Sequence, residues 1–472
     1  MDLFEHQREA IAFIAETRGG SGAVFHEPGL GKTRTALNIF FRMKVATPDL
    51  KLLVICPLSL IEAAWRADLE KFFGPDAGAR FWNAHRSRFP ETWDAADIVA
   101  VNYEFFQRQE NVISFGRFAR GQEIMAVLDE SSKIKNHASL TTKHLIALRN
   151  FFRHRVVMSG TPAPNDESEY WAQMEFARPD ILGKSFNKFR RTYFYLQGRG
   201  GIPIQTQGMI MSRGVMADLF RKGAEYAITP DSRQKLFDVI GPWIHARKKD
   251  ECLDLPEQVD EVRLVQMGPR QKTAYKQMKN LLVAEIQGQD VVAQVALTKI
   301  LKLREITSGF AYDENGNIVE TECPKIAELE EILDELGERQ VIIWANFTWE
   351  VEKIVSVLCE KAACRTLYGK TADKEASIND FINGRARYLV ANPHSAAHGL
   401  TFVNCSHQIF FSLDYSWEAF EQAKARTHRA GQKSTCVYFY IMADGTIDQE
   451  ILDVLRRKGD AQEIVFKLKD QK

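Results

Sequence analysis

The sequence has little cysteine and no long hydrophobic run. Seven cysteines occur among 472 residues, and no two of them form a C-x-x-C pair. Thiols this sparse exclude a disulfide framework, leave structural zinc as a minor alternative, and are typical of a reducing compartment. No apolar stretch approaches the roughly 20 residues that a membrane-spanning helix needs, and the acidic start MDLFEHQREAIAFIAE is unlike a signal peptide. We therefore expect a soluble intracellular protein, cytoplasmic if its source is a prokaryote or a phage, without a membrane partner.

An excess of charge of one sign is also lacking. Lys and Arg total 62, and Asp and Glu total 62. Such a balance does not mark the whole chain as a binder of nucleic acid or of membrane surfaces. A polyanion would therefore have to meet a local patch, such as the basic stretches KSFNKFRR and HARKK. Runs of this kind are, however, usually solvated faces.

Short β-rich runs alternate with longer helical patterns through much of the chain. The first series is GAVFHE, LLVICP, DIVAVNY, IMAVLDE and RVVMSGT, and the second is QVIIWAN, RYLVANP, HQIFFSL and TCVYFYIM. Stretches with apolar residues three and four apart lie between them, among them LSLIEAAWRADLEKF, TWEVEKIVSVLCEK and WEAFEQAKARTHR. This alternation predicts an α/β protein with two parallel sheets covered by helices.

The alternation breaks between Glu175 and Asp290. Helical patterns rich in Lys and Arg, such as KSFNKFRRTYF, occur there beside the Gly-rich segment QGRGGIPIQTQG, which predicts an exposed loop. The region as a whole predicts helical elaboration at the junction of two domains. We place an N-terminal lobe at residues 1–250, with a helical insertion from about 175, and a C-terminal lobe at 251–472, with a helical insertion at about 265–310.

The segment HEPGLGKT, His26 to Thr33, looks like a phosphate-binding loop that follows a strand and opens a helix. It departs from G-x-x-x-x-G-K-[ST] at the first position, where histidine replaces glycine. Gly29 and Gly31 allow a tight turn whose N–H groups face phosphate oxygens. Lys32 would neutralise the β and γ phosphates, the Thr33 hydroxyl can ligate Mg²⁺, and the following helix adds its positive dipole end. A plain strand–turn–helix connection is the alternative.

The run IMAVLDESSKIKN supplies a second chemical element, a strand that ends in two acidic residues. Asp129 stands where a carboxylate can hold the Mg²⁺ shell, and Glu130 where one can orient and deprotonate the attacking water. In a parallel sheet that also carries Lys32, these groups converge at the carboxyl ends of the strands. Capping of the next helix is the alternative role.

The segment EQAKARTHRAGQ near the C-terminus contributes a third element. Arg426 and Arg429 are three residues apart, so on a helix both would project from one face. Phosphoryl transfer needs a cation at the γ-phosphate, and an arginine from a second domain provides it when the domains close. A basic, solvated helix face is the alternative.

The motifs follow one another along the chain in the order found in superfamily-two helicases. In detail they resemble those of the Swi/Snf family of DNA-translocating ATPases. The resemblance covers nearly the whole chain and is carried by LFEHQ, HEPGLGKT, LLVICPLSLIEAAW, VNYE, VLDESSKIKN, VMSGTPAPN, the Gly399–Leu400 turn and QAKARTHRAGQ. Family members show D-E-x-G-L-G-K-T, so a residue other than glycine at position 26 agrees with the family pattern. The resemblance implies a P-loop NTPase helicase core of two RecA-like lobes, of the compact type found in bacterial and bacteriophage relatives, with ATP and Mg²⁺ as cofactors.

The resemblance also assigns roles to residues at matching positions. The nucleotide would be bound by Gln7, which recognises adenine, and by the loop residues Pro28, Gly29, Leu30, Gly31, Lys32, Thr33 and Arg34. Mg²⁺ would be held by Thr33 and Asp129, and Glu130 would act on the water. The SGTP run, Ser159 to Pro162, would couple hydrolysis to movement, and the second lobe would complete the site with Gln422, Arg426 and Arg429. For Gln7 alone, an ordinary amide on an amphipathic helix is the alternative.

DNA contacts follow from the same resemblance, at loops after the strands. The expected contact residues are Ser59, Asn102, Tyr103, Gly369, Thr371, Gly399 and Thr401. Small residues and exposed N–H groups suit contact with the phosphate backbone of duplex DNA, without base readout. Each of these loops also has the composition of an ordinary turn, which is the alternative.

Two motifs depart from the family pattern. The D-E-A-H or D-E-x-Q box reads D-E-S-S here, so Ser132 replaces a residue that helps to link ATP to the neighbouring motif. We expect altered coupling with hydrolysis retained. The G-G-x-G-L-N-L turn reads A-A-H-G-L-T-F, Ala396 to Phe402, which leaves the detail of the DNA contact there open.

The sequence thus predicts a DNA-dependent ATPase that couples Mg-ATP hydrolysis to lobe closure and to movement along double-stranded DNA. One alternative is a strand-separating superfamily-two helicase of DNA or RNA, because the cores look alike. Another is an ATP-gated DNA-binding switch that does not travel, which the D-E-S-S box makes conceivable. A protein partner that targets the motor is compatible with each of these readings.

Overall fold

The structure, a computed structural model, describes residues 2–85, 96–198, 203–204, 219, 224–287, 293–313, 315–395 and 400–467. The chain divides into two compact units, Met1–Leu253 together with Asp460–Lys472, and Asp254–Gly459. Each unit has its own parallel β-sheet with a hydrophobic core on either face. The predicted α/β class with two parallel sheets is therefore confirmed. Across the described ranges, no helix is long and apolar enough to cross a bilayer.

The first unit is built on a seven-stranded sheet in the order β3-β4-β2-β5-β6-β1-β9, in which every neighbouring pair is parallel. Two further strands, β7 and β8, form an antiparallel hairpin. The strands are β1 (Gly22–His26), β2 (Lys51–Cys56), β3 (Phe81–Asn83), β4 (Ile98–Asn102), β5 (Ile124–Asp129), β6 (His154–Met158), β7 (Phe194–Gln197), β8 (Glu225–Ile228) and β9 (Ile244–Arg247). The five strand runs predicted for this part of the chain are β1, β2, β4, β5 and β6.

Strands β1, β4 and β5 are buried along their whole length, which explains why their sequences read as continuous apolar runs. Successive side chains of a strand point to opposite faces of the sheet. Ala23 and Phe25 accordingly pack in one core, and Val24 packs in the other. With both faces covered, polar side chains collect at the strand ends, where open α/β sheets bind ligands.

Helices connect these strands and cover the sheet of the first unit. They are α1 (Glu5–Ala12), α2 (Lys32–Ala46), α3 (Ala67–Phe73), α4 (Pro75–Ala79), α5 (Gln109–Ala119), α6 (Leu140–Leu148), α7 (Tyr170–Ala177), α8 (Phe186–Tyr193), α9 (Pro230–Ile240) and α10 (Lys249–Cys252). Two π-helical turns, Phe13–Thr17 and Ile61–Arg66, continue α1 and precede α3. Short 3-10 turns lie at Tyr103–Gln107, Ser131–Ile134, Arg149–Phe151, Glu167–Glu169 and Gly241–Trp243.

The region after Glu175 is not purely helical, which corrects the prediction made for it. KSFNKFRRTYF is helical only as far as Tyr193, because the chain then enters the β7–β8 hairpin. After α9, strand β9 pairs with β1 in parallel, with Val24 opposite His245. The segment therefore completes the sheet beside the strand that leads into HEPGLGKT. Most of the predicted Gly-rich loop, QGRGGIPIQTQG, lies outside the described residues.

The second unit is built on a six-stranded sheet in the order β10-β17-β16-β13-β15-β14, again with parallel neighbours. The strands are β10 (Gln258–Val265), β13 (Val341–Trp344), β14 (Cys364–Leu367), β15 (Tyr388–Ala391), β16 (His407–Phe410) and β17 (Cys436–Ala443), and β11 (Phe310–Tyr312) and β12 (Ile318–Glu320) form a hairpin. The helices are α11 (Pro269–Gln287), α12 (Ala293–Thr307), α13 (Pro324–Leu336), α14 (Thr348–Leu358), α15 (Lys374–Ile382), α16 (Trp417–Lys424) and α17 (Ile447–Lys467). The four strands predicted here are β13, β15, β16 and β17.

A buried ion pair connects two helices of the second unit, and a hydrogen bond to its carboxylate adds a third helix. Lys325, in the first turn of α13, places Nζ 2.6 Å from Oδ2 of Asp448, in the first turn of α17. The carboxylate of Asp448 also accepts hydrogen bonds from Thr307 Oγ1 at 2.8 Å and from the Ala443 backbone N–H at 3.0 Å. Lys325 is 1% exposed, so its charge depends on this carboxylate for compensation.

Candidate ATP site

The loop between β1 and α2 has the backbone geometry of a phosphate cradle. Gly29 and Gly31 have φ angles of 100° and 73°, in the region that glycine adopts without a steric penalty. Gly31 is the N-cap of α2, which begins at Lys32, so the first N–H groups of a 15-residue helix face the loop. A Cβ atom at Gly31 would lie 2.4 Å from Gln7 Nε2, so a side chain there would displace the Gln7 amide.

Helix α1 holds the loop from one side. The loop carbonyl of Leu30 accepts a hydrogen bond from His6 Nε2 at 3.0 Å, which requires that this nitrogen carries the proton. Gln7 Nε2 donates to the carbonyls of Leu30 and Gly31 at 3.4 Å, and Gln7 Oε1 accepts from the Phe4 N–H at 3.1 Å. Gln7 thus lies beside the loop, and its amide supports the backbone that carries the glycines.

The charge of Lys32 affects the ionisation of the buried Asp129 carboxyl. Lys32 Nζ donates to the His26 carbonyl at 3.0 Å. Asp129 is buried at the end of β5, where Trp65 Nε1 donates to its Oδ2 at 2.9 Å. Burial raises the pKa of the Asp129 carboxyl, whereas the nearby Lys32 ammonium and the Trp65 hydrogen bond act against that rise. The Lys32 ammonium therefore acts electrostatically on the buried Asp129 carboxyl.

Glu130 adopts an uncommon backbone conformation, with φ 53° and ψ 55°. This left-handed region is disfavoured for residues with a Cβ, and such strain is concentrated at functional sites. The Glu130 N–H donates to Asp129 Oδ1 at 3.1 Å, and the Tyr103 hydroxyl donates to the Asp129 carbonyl at 2.8 Å. The turn that carries both acidic residues is thus held by the Asp129 carboxylate itself and by Tyr103, which begins the 3-10 turn after β4.

The donor groups of this site fit Mg-ATP. The Thr33 hydroxyl and the Asp129 carboxylate are hard oxygen ligands of the kind that Mg²⁺ prefers beside phosphate oxygens. The glycine backbone, the α2 N-terminus and Lys32 supply the positive charge that a triphosphate needs. Arg34 is directed elsewhere, because its Nη1 donates to the Asp2 carbonyl at 3.0 Å and its guanidinium lies 4.2 Å from the Phe72 ring centroid.

The SGTP run packs directly on the nucleotide loop. A Cβ atom at Gly160 would lie 2.7 Å from Pro28 Cδ, so the two loops touch through a position that only glycine allows. The Ser159 N–H donates to the Val24 carbonyl of β1 at 3.3 Å, and the Thr161 N–H donates to Ser159 Oγ at 3.0 Å. Movement of the SGTP turn therefore changes the packing of the phosphate cradle.

In the second unit, Arg426 and Arg429 do not lie on a helix, which corrects the predicted helical face. Helix α16 ends at Lys424, and both arginines follow it in turns. Each of them donates from Nη1 to the Leu400 carbonyl, at 3.0 and 2.9 Å, and Arg429 also donates to Thr401 Oγ1 at 2.7 Å. They are brought together by this shared turn rather than by helical spacing. Gln422 is buried within α16.

The residues predicted to contact DNA fall into two groups. Ser59, Gly369 and Thr401 are exposed, and Thr371 is half-buried with its Oγ1 accepting the Tyr368 N–H at 3.0 Å.

Asn102 and Tyr103 are buried, the first donating to Glu104 Oε2 at 2.7 Å and the second supporting Asp129. The Tyr103 side chain thus supports the acidic turn, and its role as a DNA contact stays a prediction. Gly399 lies outside the described residues.

Three residues of the site carried no assignment from the sequence. Trp65 could have been suspected, because a buried tryptophan usually finds a partner for its N–H. His245 reaches the loop from β9, and Gln173 reaches the acidic turn from α7, both across long stretches of chain. No sequence pattern predicts these two contacts, because they depend on which strands and helices become neighbours in the fold.

His26, the residue in place of the first glycine of the loop pattern, forms a buried pair with His245. Its Nε2 lies 2.8 Å from His245 Nδ1, so one of these nitrogens donates and the other accepts. Burial, followed by the proximity of His245, His6 and Lys32, lowers the pKa of His26 well below its ordinary value. Burial also lowers the pKa of His6. The neutral His26 ring is therefore held by its hydrogen bond with His245 beneath the cradle.

We expect stability to fall as the pH drops below about 6.5. In that range the unfolded chain protonates His26 and the folded protein does not, so each such histidine lowers the free energy of unfolding by about 1.4 kcal/mol per pH unit. Urea denaturation between pH 7.5 and 5.5 measures this slope. His26→Gln should flatten it, whereas His85→Gln, at an exposed position, should leave it unchanged. An equal slope in the wild type and His26→Gln would contradict the prediction.

Comparison with known proteins yields two family matches that follow one another along the chain. Residues 6–309 match the SNF2-related domain, and residues 324–431 match the helicase conserved C-terminal domain. The first match contains the phosphate loop, the acidic turn and the SGTP run, and the second contains Gln422, Arg426 and Arg429.

Similar proteins occur in bacteria, phages, archaea and eukaryotes. An ATP-dependent helicase of Mycoplasma pneumoniae is 26% identical over 98% of this chain and 42% of its own length. A protein named p41 from Acyrthosiphon pisum secondary endosymbiont phage 1 is 23% identical over 94% of each chain. A solved structure, the SWI2/SNF2 ATPase core of Sulfolobus solfataricus in complex with dsDNA, is 22% identical with a TM-score of 0.45, covering 98% of this chain and 95% of that chain. The chain spans about half the length of several further curated relatives.

The SNF2-related match alone covers more than half of the chain, and the helicase match falls within the second unit. The two parallel-sheet units are the two RecA-like lobes of a helicase core. The resemblance seen in the motifs is confirmed, including the likeness to bacterial and phage relatives. The chain belongs to the SNF2-related family of helicase-like proteins.

Proposed function

We propose that the chain is a DNA-dependent ATPase that moves along duplex DNA without separating its strands. The observation that carries this proposal is the meeting of three motifs in the first unit: the glycine cradle before α2, the buried Asp129 beside Lys32, and the SGTP turn packed on Pro28. Together they connect a site for nucleotide hydrolysis to the SGTP turn, which can respond to whether the nucleotide has been hydrolysed. Membership of the SNF2-related family supports DNA as the track.

Each proposed residue has a role that its surroundings support. Lys32 and the α2 N-terminus would bind the phosphates, and Asp129 and Thr33 would hold Mg²⁺. When bound, Mg²⁺ would neutralise charge on the phosphate oxygens. Glu130, held in its strained conformation, orients the attacking water and accepts its proton. Gln422, Arg426 and Arg429 belong to the proposed site through the family resemblance.

The proposed DNA contacts are the exposed or half-exposed positions of the predicted set. They are Ser59, Gly369, Thr371 and Thr401. Small side chains on loops leave backbone N–H groups open to phosphate oxygens, which gives binding without sequence preference. Binding of this kind weakens steeply with salt, because phosphate contacts release counterions.

Steady-state ATP hydrolysis tests the proposal. We expect duplex DNA to raise the turnover of Mg-ATP several-fold, and single-stranded DNA or RNA to raise it less. The same protein should then displace a third strand from a DNA triplex in the presence of ATP, with Lys32→Ala as the blank for both assays. Stimulation by single strands alone would favour a strand-separating helicase, and duplex stimulation without triplex displacement would favour an ATP-gated switch.

A further inference from the structure

A buried chain of hydrogen bonds joins the acidic turn to the SGTP turn. Ser131 Oγ donates to Gln173 Oε1 at 2.6 Å, and Gln173 Nε2 donates to the Pro162 carbonyl at 2.6 Å. Gln173 Nε2 also donates to the Glu169 carbonyl at 3.1 Å, within its own helical segment. Ser131 and Gln173 are both fully buried. The side chain of Gln173 is therefore a bridge between the D-E-S-S and SGTP motifs.

The direction of every bond in this bridge is determined by chemistry. The Pro162 and Glu169 carbonyls can only accept, so both must face the amide nitrogen of Gln173. The amide oxygen is then left to face Ser131, whose hydroxyl must donate. Turning the amide over would set carbonyl against carbonyl in a buried place, which is costly. The bridge consequently has a single arrangement.

Both ends of the bridge are attached to the proposed catalytic machinery. Ser131 directly follows Glu130 and begins the 3-10 turn Ser131–Ile134. Pro162 ends the SGTP run, in which Gly160 packs against Pro28 of the phosphate loop. The residue between them comes from α7, a helix whose eight residues are all buried. A side chain on so rigid a support can transmit a displacement from one turn to the other.

We propose that Gln173 is a positioning residue that couples the state of Glu130 to the SGTP turn, and so couples ATP hydrolysis to movement along DNA. The proposal rests on the proposed function. It also gives a physical meaning to the D-E-S-S box: the link to the neighbouring motif is made by Ser131, the third residue of the box, through an amide from another helix.

Three variants test the bridge: Ser131→Ala, Gln173→Met and the double variant. The measured quantity is the ratio of ATP turnover with saturating duplex to turnover without DNA. We expect Ser131→Ala to lower this ratio about fivefold, as the loss of one buried hydrogen bond would. Gln173→Met removes all three bonds of the Gln173 amide and should lower the ratio at least as much. The two residues act as one connection. The ratio measured for the double variant should therefore be no lower than the ratio for the more impaired single variant. Alanine at position 131 is compatible with the fold, since D-E-A-H boxes carry it there.

A matched control separates coupling from stability. Ser21 is another buried serine of the first unit, and its Oγ accepts the Arg155 N–H at 3.1 Å near the start of β1. Ser21→Ala removes a buried hydroxyl away from the bridge and should leave the ratio unchanged. If Gln173→Met fails to fold, Gln173→Asn replaces it, because it keeps a neutral amide but is one methylene too short to bond both Ser131 and Pro162.

The outcomes distinguish the bridge from the proposed function. If duplex DNA does not change the ATP turnover of the wild-type protein, both the proposed function and the bridge are overturned. A stimulated wild type whose ratio is unchanged in Ser131→Ala and in the Gln173 variant overturns the bridge alone. Effects of the two single variants that multiply in the double variant show two independent structural roles, which also overturns it.

Discussion

Replacing Lys32 by alanine should reduce ATP turnover by at least about a hundredfold, the scale expected when a preorganised charge is removed from a transition state. The ammonium group lies at the N-terminus of α2 and within the electrostatic reach of Asp129. Without it, the charge that develops on the phosphates loses its nearest side-chain cation. Alanine is a strong helix former, so α2 itself should persist. Steady-state hydrolysis with saturating Mg-ATP measures the loss.

The fold must be shown to survive this change. Lys143→Ala, at an exposed position of α6, is the matched control and should retain full turnover. Glu130→Gln should have an effect on turnover as large as that of Lys32→Ala while leaving nucleotide binding intact, because the amide keeps the shape but cannot take the proton from water. Full turnover in Lys32→Ala, with an unchanged melting temperature, would show that this loop is not the ATP site.

Replacing Lys325 by methionine should destabilise the second unit by about 3–5 kcal/mol, the usual cost of breaking one side of a buried ion pair. Methionine keeps most of the volume of the lysine stem but leaves the Asp448 carboxylate without its cation. The hydrogen bonds from Thr307 and Ala443 stabilise a charge that would then be uncompensated. The two units need not unfold together. Hydrogen exchange at the amides of β17 reports the loss, and exchange in β5 of the first unit serves as the internal reference.

An exposed ion pair provides the comparison. Lys361 Nζ lies 2.5 Å from Glu330 Oε1, with half of the lysine side chain in solvent. Lys361→Met should leave exchange in β17 unchanged, because solvent screens such pairs. Equal protection of β17 in Lys325→Met and wild type would mean that the buried pair contributes nothing to the stability of this unit.

The strands that carry the site could be predicted from the sequence because both faces of the sheets are buried. Runs such as IMAVL and VIIW are apolar without interruption, and each lies in a fully buried strand. The phosphate loop could be predicted for a similar local reason, since it combines glycines of positive φ with the start of a helix. These features depend only on residues that are neighbours in the chain.

The features that could not be predicted depend on partners far away in the chain. The helical spacing of Arg426 and Arg429 was misleading because the buried Thr427 hydroxyl instead accepts a hydrogen bond from Gln408 on β16 at 2.6 Å, in a turn after α16. Tertiary hydrogen bonds of this kind override local helical preference. Trp65 lies 64 residues from Asp129, and His26 lies 219 residues from His245. Only the order of strands in the finished sheet brings such groups together.

Strand β9 has a consequence for how this protein is made. β1 is the first strand of the sheet to leave the ribosome, and β9, which pairs along its outer side from Ala23 to His26, is the last. Until residue 247 has emerged, that side of β1 presents unpaired N–H and C=O groups to other nascent chains. Pairing across so long a stretch of sequence is also slow. The phosphate loop is therefore synthesised early but acquires its lasting support late, and a fragment that stops before Ile244 would carry the loop on an open edge.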